Sequence, residues 1–207
     1  LEELGLMENT LVVFASDHGD CQGAHRFNQK TVFYDEASRV PFILSLKGLT
    51  KEGTSDRLVH TGTDLFPTLC DFAGITPPDG LPGRSLKAVA LGQSASEWRD
   101  HVVVSNHMVQ GGPIDGVVPK IHGRMVRSEH FKYCLYSHGE RRESLFDMEH
   151  DPGEMYNVAG SEAHAHVLEA HRRLLKQHAE RYGDTLALAM LSPAYEPLPF
   201  ETAQGSI

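Results

Sequence analysis

Asn9-Thr10-Leu11-Val12-Val13-Phe14-Ala15-Ser16-Asp17-His18-Gly19-Asp20 is the stretch on which the reading of this chain turns. Residues 11–15 form an unbroken apolar run rich in β-branched and aromatic side chains. Such a run predicts a strand buried on both faces, the kind found in parallel sheets. It stops abruptly at Ser16-Asp17-His18-Gly19. A carboxylate, an imidazole and a glycine at the carboxyl end of a buried strand fall where open α/β sheets place their ligand sites.

Adjacent residues diverge from a strand, but a tight turn can aim both at one cation. Asp17 would supply a hard anionic oxygen suited to Ca²⁺, Mg²⁺ or Mn²⁺. The His18 imidazole weakens the case for calcium and keeps manganese and magnesium open. The competing reading is a strand-end aspartate that caps the next turn beside a solvated histidine. Two ligands do not complete a site, and no second acidic cluster stands out elsewhere in the chain.

Around this stretch the 207 residues carry a net charge of −9, which argues against a nucleic-acid footprint. No apolar run reaches the roughly 18 residues of a membrane span. The three cysteines, Cys21, Cys70 and Cys134, cannot all pair within the chain, and they show no zinc spacing. Leu1 is not a methionine and the first strand is reached by residue 11, so the chain reads as part of something longer. A buried parallel strand also calls for neighbours joined by crossovers, and few are available here.

Downstream, residues 21–30 lack a period and read as a loop. Pro41 starts a second strand within Arg39-Val40-Pro41-Phe42-Ile43-Leu44-Ser45-Leu46, where a missing N–H is tolerated. Residues 63–74 predict a helix, with Thr63 or Asp64 as cap, Pro67 in the first turn and Gly74 at the end. A short helix follows at 86–91. From Trp98 the texture changes. Residues 101–105 form a strand, 106–123 a long Gly-, Pro- and His-containing loop, and 124–127, 131–136 and 144–147 an antiparallel meander. Residues 161–182 form the longest helix, with Ser161 as N-cap, Gly183 as stop, and Val167, Leu168, Leu174 and Leu175 as its apolar stripe. The prolines after 192 predict an extended tail. These breaks divide the chain at 1–97, 98–192 and 193–207.

Other candidates are weaker. Lys30, thirteen residues past Asp17, could neutralise a tetrahedral anion beside a metal, though an isolated loop lysine is usually a surface charge. Glu36 and Arg39 predict a local ion pair. His25 is near enough in sequence to reach the Asp17 pocket, while His107 and His122 bracket the long loop and could line a substrate entrance. His164, His171 and His178 recur every seven residues, but at 1.5 Å rise per residue neighbours sit roughly 10 Å apart and cannot share an ion.

The ordered series of residues 12–20, Gly23-Ala24-His25, Lys30 and Tyr34-Asp35-Glu36-Ala37-Ser38-Arg39-Val40-Pro41-Phe42-Ile43 resembles the C-terminal half of type I sulfatases, members of the alkaline-phosphatase superfamily. The series continues through Asp64-Leu65-Phe66-Pro67-Thr68-Leu69 and Leu81-Pro82-Gly83-Arg84-Ser85-Leu86. It ends with Phe131-Lys132-Tyr133, Leu145-Phe146-Asp147, and Asp151-Pro152-Gly153-Glu154 followed by Asn157.

The resemblance implies an α/β fold: the last part of an alkaline-phosphatase-like sheet, followed by a small antiparallel-sheet subdomain with one long helix. It implies that Asp17 and His18 are metal ligands, calcium being the family's usual ion, and that Lys30 contacts the sulfate and its bridging oxygen. The family's formylglycine nucleophile, made from Cys or Ser, has no counterpart here, since no cysteine is followed by the Pro and Arg it requires. The chain is therefore expected to be inactive alone and to depend on the N-terminal half of the same enzyme. Its substrate would be a sulfated small molecule or carbohydrate, and its location periplasmic or secreted. A phosphonate monoester or phosphodiester hydrolase of the same superfamily would carry similar motifs. A non-catalytic carbohydrate- or partner-binding module is the third reading.

Overall fold

The computed structural model describes residues 1–93, 97–108, 113 and 115–202. The chain divides into two compact units: residues 1–29 with 35–100, and residues 30–34 with 101–207.

In the first unit, β1 (Val12–Ala15) pairs with β2 (Phe42–Ser45), from Val12↔Ser45 to Ala15↔Phe42. The pairing is antiparallel, not parallel, and the strand is not buried on both faces: Phe14 is 60% and Ile43 55% exposed. An apolar run specifies extended backbone and demands cover, but it does not encode the direction of the neighbouring strand. The helix α1 (Asp35–Ser38) lies between the two strands in sequence.

α2 (Thr61–Phe72) begins two residues earlier than its pattern predicts, with His60 as N-cap. Asp64 is fully buried and draws the surrounding backbone together. Its carboxylate accepts the His60 N–H at 2.8 Å, the Arg84 N–H at 2.8 Å and two bonds from Arg99 at 2.9 and 2.6 Å. Pro67 therefore sits in the second turn, where its missing N–H cannot reach the Thr63 carbonyl. Gly83 approaches that same carbonyl so closely that a Cβ would lie 1.8 Å from its oxygen. One turn on, Thr68 Oγ1 donates to the Asp64 carbonyl at 2.6 Å and accepts the Leu86 N–H at 3.0 Å. These bonds seat the segment leading into α3 (Lys87–Ala90) on α2.

The second unit holds a four-stranded antiparallel sheet in the order β3-β5-β6-β7: β3 (His101–His107), β5 (His122–Ser128), β6 (Phe131–Tyr136) and β7 (Glu143–Asp147). The expected loop after residue 105 is shorter than its composition suggests, because β3 runs on to His107 and a two-residue β4 (Val117–Val118) pairs with β8 (Glu201–Thr202). Residues 109–112 and 114 of that loop lie outside the described residues. Period-two alternation sends Val126, Tyr133, Leu135 and Leu145 to one face, where they pack on Leu168, Leu175 and Ala179 of α4 (Ala165–Tyr182) and on Ala187 and Met190 of α5 (Thr185–Leu191). Met125 and Cys134 turn to the other face and enclose Phe33.

Gly183 closes α4 in the left-handed conformation (φ 71°), as its position predicts. The start differs. A 3₁₀ turn at Glu162–His164 precedes the helix and His164 is its N-cap, so Ser161 bonds the His164 ring rather than helix N–H groups. α5 is unexpected. Asp184 caps it, accepting from Ala187 N at 3.0 Å, and the same carboxylate holds Arg124 at 2.5 and 3.0 Å. No helix among the described residues is long and apolar enough to cross a membrane.

Candidate functional site

The end of β1 is held in a tight hydrogen-bonded turn. Ser16 Oγ donates to the His18 carbonyl at 2.7 Å, and the Asp17 carboxylate accepts the His18 N–H at 3.0 Å. The turn is fixed to α1 through Gly19, whose N–H donates to the Ala37 carbonyl at 2.8 Å.

His18 Nδ1 lies 2.7 Å from the Gly19 carbonyl oxygen. A carbonyl only accepts, so Nδ1 carries the proton. In the neutral ring Nε2 then bears the lone pair, and Nε2 is 3.5 Å from Asp17 Oδ2. An imidazole that donates one ring N–H to a backbone carbonyl is an arrangement that metal-binding histidines commonly show. Protonated, the same ring would form an ion pair with Asp17. The donor set is of the kind a divalent cation takes, and two such residues could supply part of a coordination shell; no group of three or more ligating side chains occurs among the described residues.

Residues 21–29 form a loop closed on itself. Cys21 N–H donates to the Gln29 carbonyl at 2.8 Å and Gly23 N–H to the Phe27 carbonyl at 2.9 Å. Gln22, His25, Arg26 and Gln29 all hold positive φ, between 47° and 66°. Non-glycine residues rarely adopt this conformation, and such strain concentrates near functional sites. His25 lies 3.5 Å from Glu36, so this loop, like the Asp17–His18 turn, is tied to α1. The expected Glu36–Arg39 pair is not formed: Glu36 faces His25, and Arg39, 83% exposed, faces Asp35 at 3.8 Å. At the i,i+4 spacing this exchange carries little energy.

Lys30 is exposed and belongs to the second unit, in the 30–34 segment whose Phe33 is buried against the sheet. His107 and His122, expected to flank a loop, are direct cross-strand partners whose rings meet edge to face at 4.2 Å. Burial first, then His107 and neighbouring cations, depresses the His122 pKa below 6.5. The three histidines spaced seven apart, His164 at the N-cap of α4 and His171 and His178 within it, are separate. His171 is buried on the sheet face between Ser128 and Val167, His164 bonds Ser161, and His178 packs on Tyr182.

Sequence reasoning missed the buried Lys132–Glu154 pair, although both residues stand in the quoted motifs. Its signal was a lysine inside an alternating apolar strand, where a charge needs a partner.

The comparisons agree with this architecture. A curated Delta 4,5-hexuronate-2-O-sulfatase of Bacteroides thetaiotaomicron is 37% identical over 179 residues, 85% of this chain and 36% of that protein. A solved structure described as a 2-O GAG sulfatase superposes with a TM-score of 0.78 at 34% identity, covering 94% of this chain and 39% of the other. A phosphonate monoester hydrolase from Silicibacter pomeroyi superposes with a TM-score of 0.76 at 26% identity, covering 87% of this chain and 37% of that one. The chain thus spans little more than a third of these relatives. Residues 23–181 match the family described as N-sulphoglucosamine sulphohydrolase, C-terminal, and the chain belongs to that sulfatase family.

Proposed function

We propose that the full-length protein containing this chain is a sulfuric ester hydrolase. In this reading Asp17 and His18 hold a divalent metal and Lys30 binds the sulfate group. The observation that carries it is the His18 ring, with Nδ1 committed to the Gly19 carbonyl and Nε2 beside Asp17 Oδ2, in a chain of a sulfatase family.

A bound metal would polarise and clamp the sulfuryl oxygens as a Lewis acid. The chain's own residues do the rest of this half of the work. Asp17 presents anionic charge at the strand end. Gly19 fixes the tautomer of His18. Lys30 offers a cation to the charge that develops on the non-bridging and bridging oxygens. Calcium is the ion the family resemblance favours, and the imidazole keeps magnesium and manganese in the comparison. The formylglycine nucleophile belongs to sequence upstream of residue 1, and the 207-residue chain alone is inactive. The names of the hexuronate sulfatase relative and of the N-sulphoglucosamine sulphohydrolase family point to a sulfated uronic acid or hexosamine as substrate.

The test is sulfate release by the full-length protein from sulfated disaccharides, with and without chelation. Asp17→Ala and Lys30→Ala should each lower kcat/KM by about 100-fold or more. Unchanged turnover in either variant would remove that residue from the site.

A phosphonate monoester hydrolase is the second reading, favoured by the superposition on one. Direct competition between an aryl sulfate and a phosphonate monoester separates the two.

A further inference from the structure

Two of the motifs quoted above, Phe131-Lys132-Tyr133 and Asp151-Pro152-Gly153-Glu154, have no part in the site as described, yet their charged residues meet in the interior. Lys132 Nζ lies 2.8 Å from Glu154 Oε1, and both side chains are 1% exposed. The contact is an ion pair by distance. Glu154 reaches it from a backbone with φ 52°, a conformation only a few per cent of non-glycine residues adopt. Lys132 Nζ also donates to the backbone carbonyl of Phe33 at 2.9 Å.

A buried ion pair is a poor source of stability, because desolvating both charges offsets their attraction; apolar residues of similar size often do as well. What the pair provides is direction. It holds an ammonium on the Phe33 face of the sheet, where that ammonium fastens a segment lacking regular structure. The surroundings reinforce the same point. Phe33 is 2% exposed, packed on Met125 and Cys134, and Gly123 leaves room for its ring, since a Cβ there would lie 2.5 Å from Phe33 Cε2. Tyr34 meets Phe146 at 6.1 Å between ring centroids.

Lys30 is three residues before Phe33, and three residues of chain span at most about 11 Å. We propose that Lys132 and Glu154 are positioning residues for Lys30: the pair pins the Phe33 carbonyl and thereby sets where the Lys30 ammonium is delivered. This rests on the role given to Lys30 above.

The experiment is a double-mutant cycle in the full-length protein, following sulfate ester turnover and thermal unfolding. Lys132→Met alone leaves Glu154 buried without its counter-charge, so Lys132→Met/Glu154→Leu, which removes both charges, is made beside it. The double variant is expected to fold and to lose about 100-fold in kcat, the order of loss that a small misplacement of a catalytic group brings. Lys132→Arg should recover part of that loss by restoring a donor and the charge. In a Lys30→Ala background the same changes should cost almost nothing further, because two groups acting through one position are not additive. Wild-type kcat in the folded double variant would overturn the proposal, as would a full additional loss in the Lys30→Ala background. If Lys30→Ala itself turns over normally, the failure lies in the role of Lys30 and not in the pair.

Discussion

Gly19 and Glu36 leave no space between them. A Cβ on Gly19 would stand 1.9 Å from the Glu36 carbonyl oxygen, and the Gly19 N–H is already committed to Ala37 at 2.8 Å. Backbone cannot yield as a flexible side chain can. Gly19→Ala must therefore push the Asp17–His18 turn away from α1 and pull the Gly19 carbonyl off His18 Nδ1. The expected result is at least a 10-fold weaker metal affinity in the full-length protein, of the size that follows from losing the partner that orients a metal-binding histidine. Metal titration by calorimetry checks it. A wild-type affinity would show that the turn tolerates the displacement and that His18 orientation does not depend on Gly19.

Asp64 and Arg99 make the second sharp prediction. Asp64 is fully buried, and its carboxylate is also the acceptor for two backbone N–H groups, His60 and Arg84. Asp64→Ala leaves Arg99, whose side chain is 11% exposed, without its counter-charge and orphans both N–H groups. Breaking a buried pair this way costs about 3–5 kcal/mol. Urea unfolding should show a lower midpoint of that order. A loss under about 1 kcal/mol would mean that water replaces the carboxylate.

These two sites show what the sequence makes legible. Leu11 to Ala15 announces a strand and Asp17-His18-Gly19 a site at its end, because apolar runs and charge are local facts. The neighbour that Gly19 must admit is seventeen residues away in α1, and no local pattern names it. The meander was legible because short strand-forming segments at 124–127, 131–136 and 144–147 are separated by turn residues. The Lys132–Glu154 pair was not, since its partners are distant in sequence and Lys132 falls on the alternate position of Phe131-Lys132-Tyr133, where a charge reads as facing solvent. α5 was hidden by Gly183: a stop signal and the prolines that follow it masked an Asp184 cap in front of a seven-residue helix.

Asp184 supports the third prediction. It caps α5 through Ala187 and receives both Nε and a terminal nitrogen of Arg124, whose side chain is 7% exposed. The arginine lowers the Asp184 pKa through these hydrogen bonds, the largest influence on it, against the opposing effect of burial. Asp184→Ala removes a cap worth about 1 kcal/mol and strands a buried guanidinium, so the loss should exceed the cap alone by a clear margin. Asp184→Asn keeps the capping oxygen and should fall between the two. Melting temperatures of the three proteins in one buffer decide it; equal losses for Ala and Asn would assign the whole effect to the arginine pair.

His171 gives the pH dependence. Its Nδ1 lies 2.8 Å from the Val167 carbonyl, so Nδ1 carries a proton, and Nε2 must accept from Ser128 Oγ at 2.9 Å. Both ring positions are thereby assigned to the neutral form. A second proton would reverse the Ser128 bond inside the sheet–helix packing, where the residue is 5% exposed. Burial is the main cause holding its pKa below 6.5; the Val167 bond opposes that shift and His101 adds to it. His122 is lowered in the same direction, again by burial first. For a histidine depressed in the folded state, the unfolded chain binds more protons between the folded pKa and 6.5. Stability is therefore intact above about 6.5 and declines as pH falls through that window toward the folded values. The melting temperature should drop between pH 7.5 and pH 5.5. The drop should shrink in His171→Gln, which can neither charge nor reverse the bond in acid. If the wild type and His171→Gln lose the same number of degrees, the acid sensitivity lies elsewhere, and His122→Gln is the variant that then separates its share from that of the carboxylates.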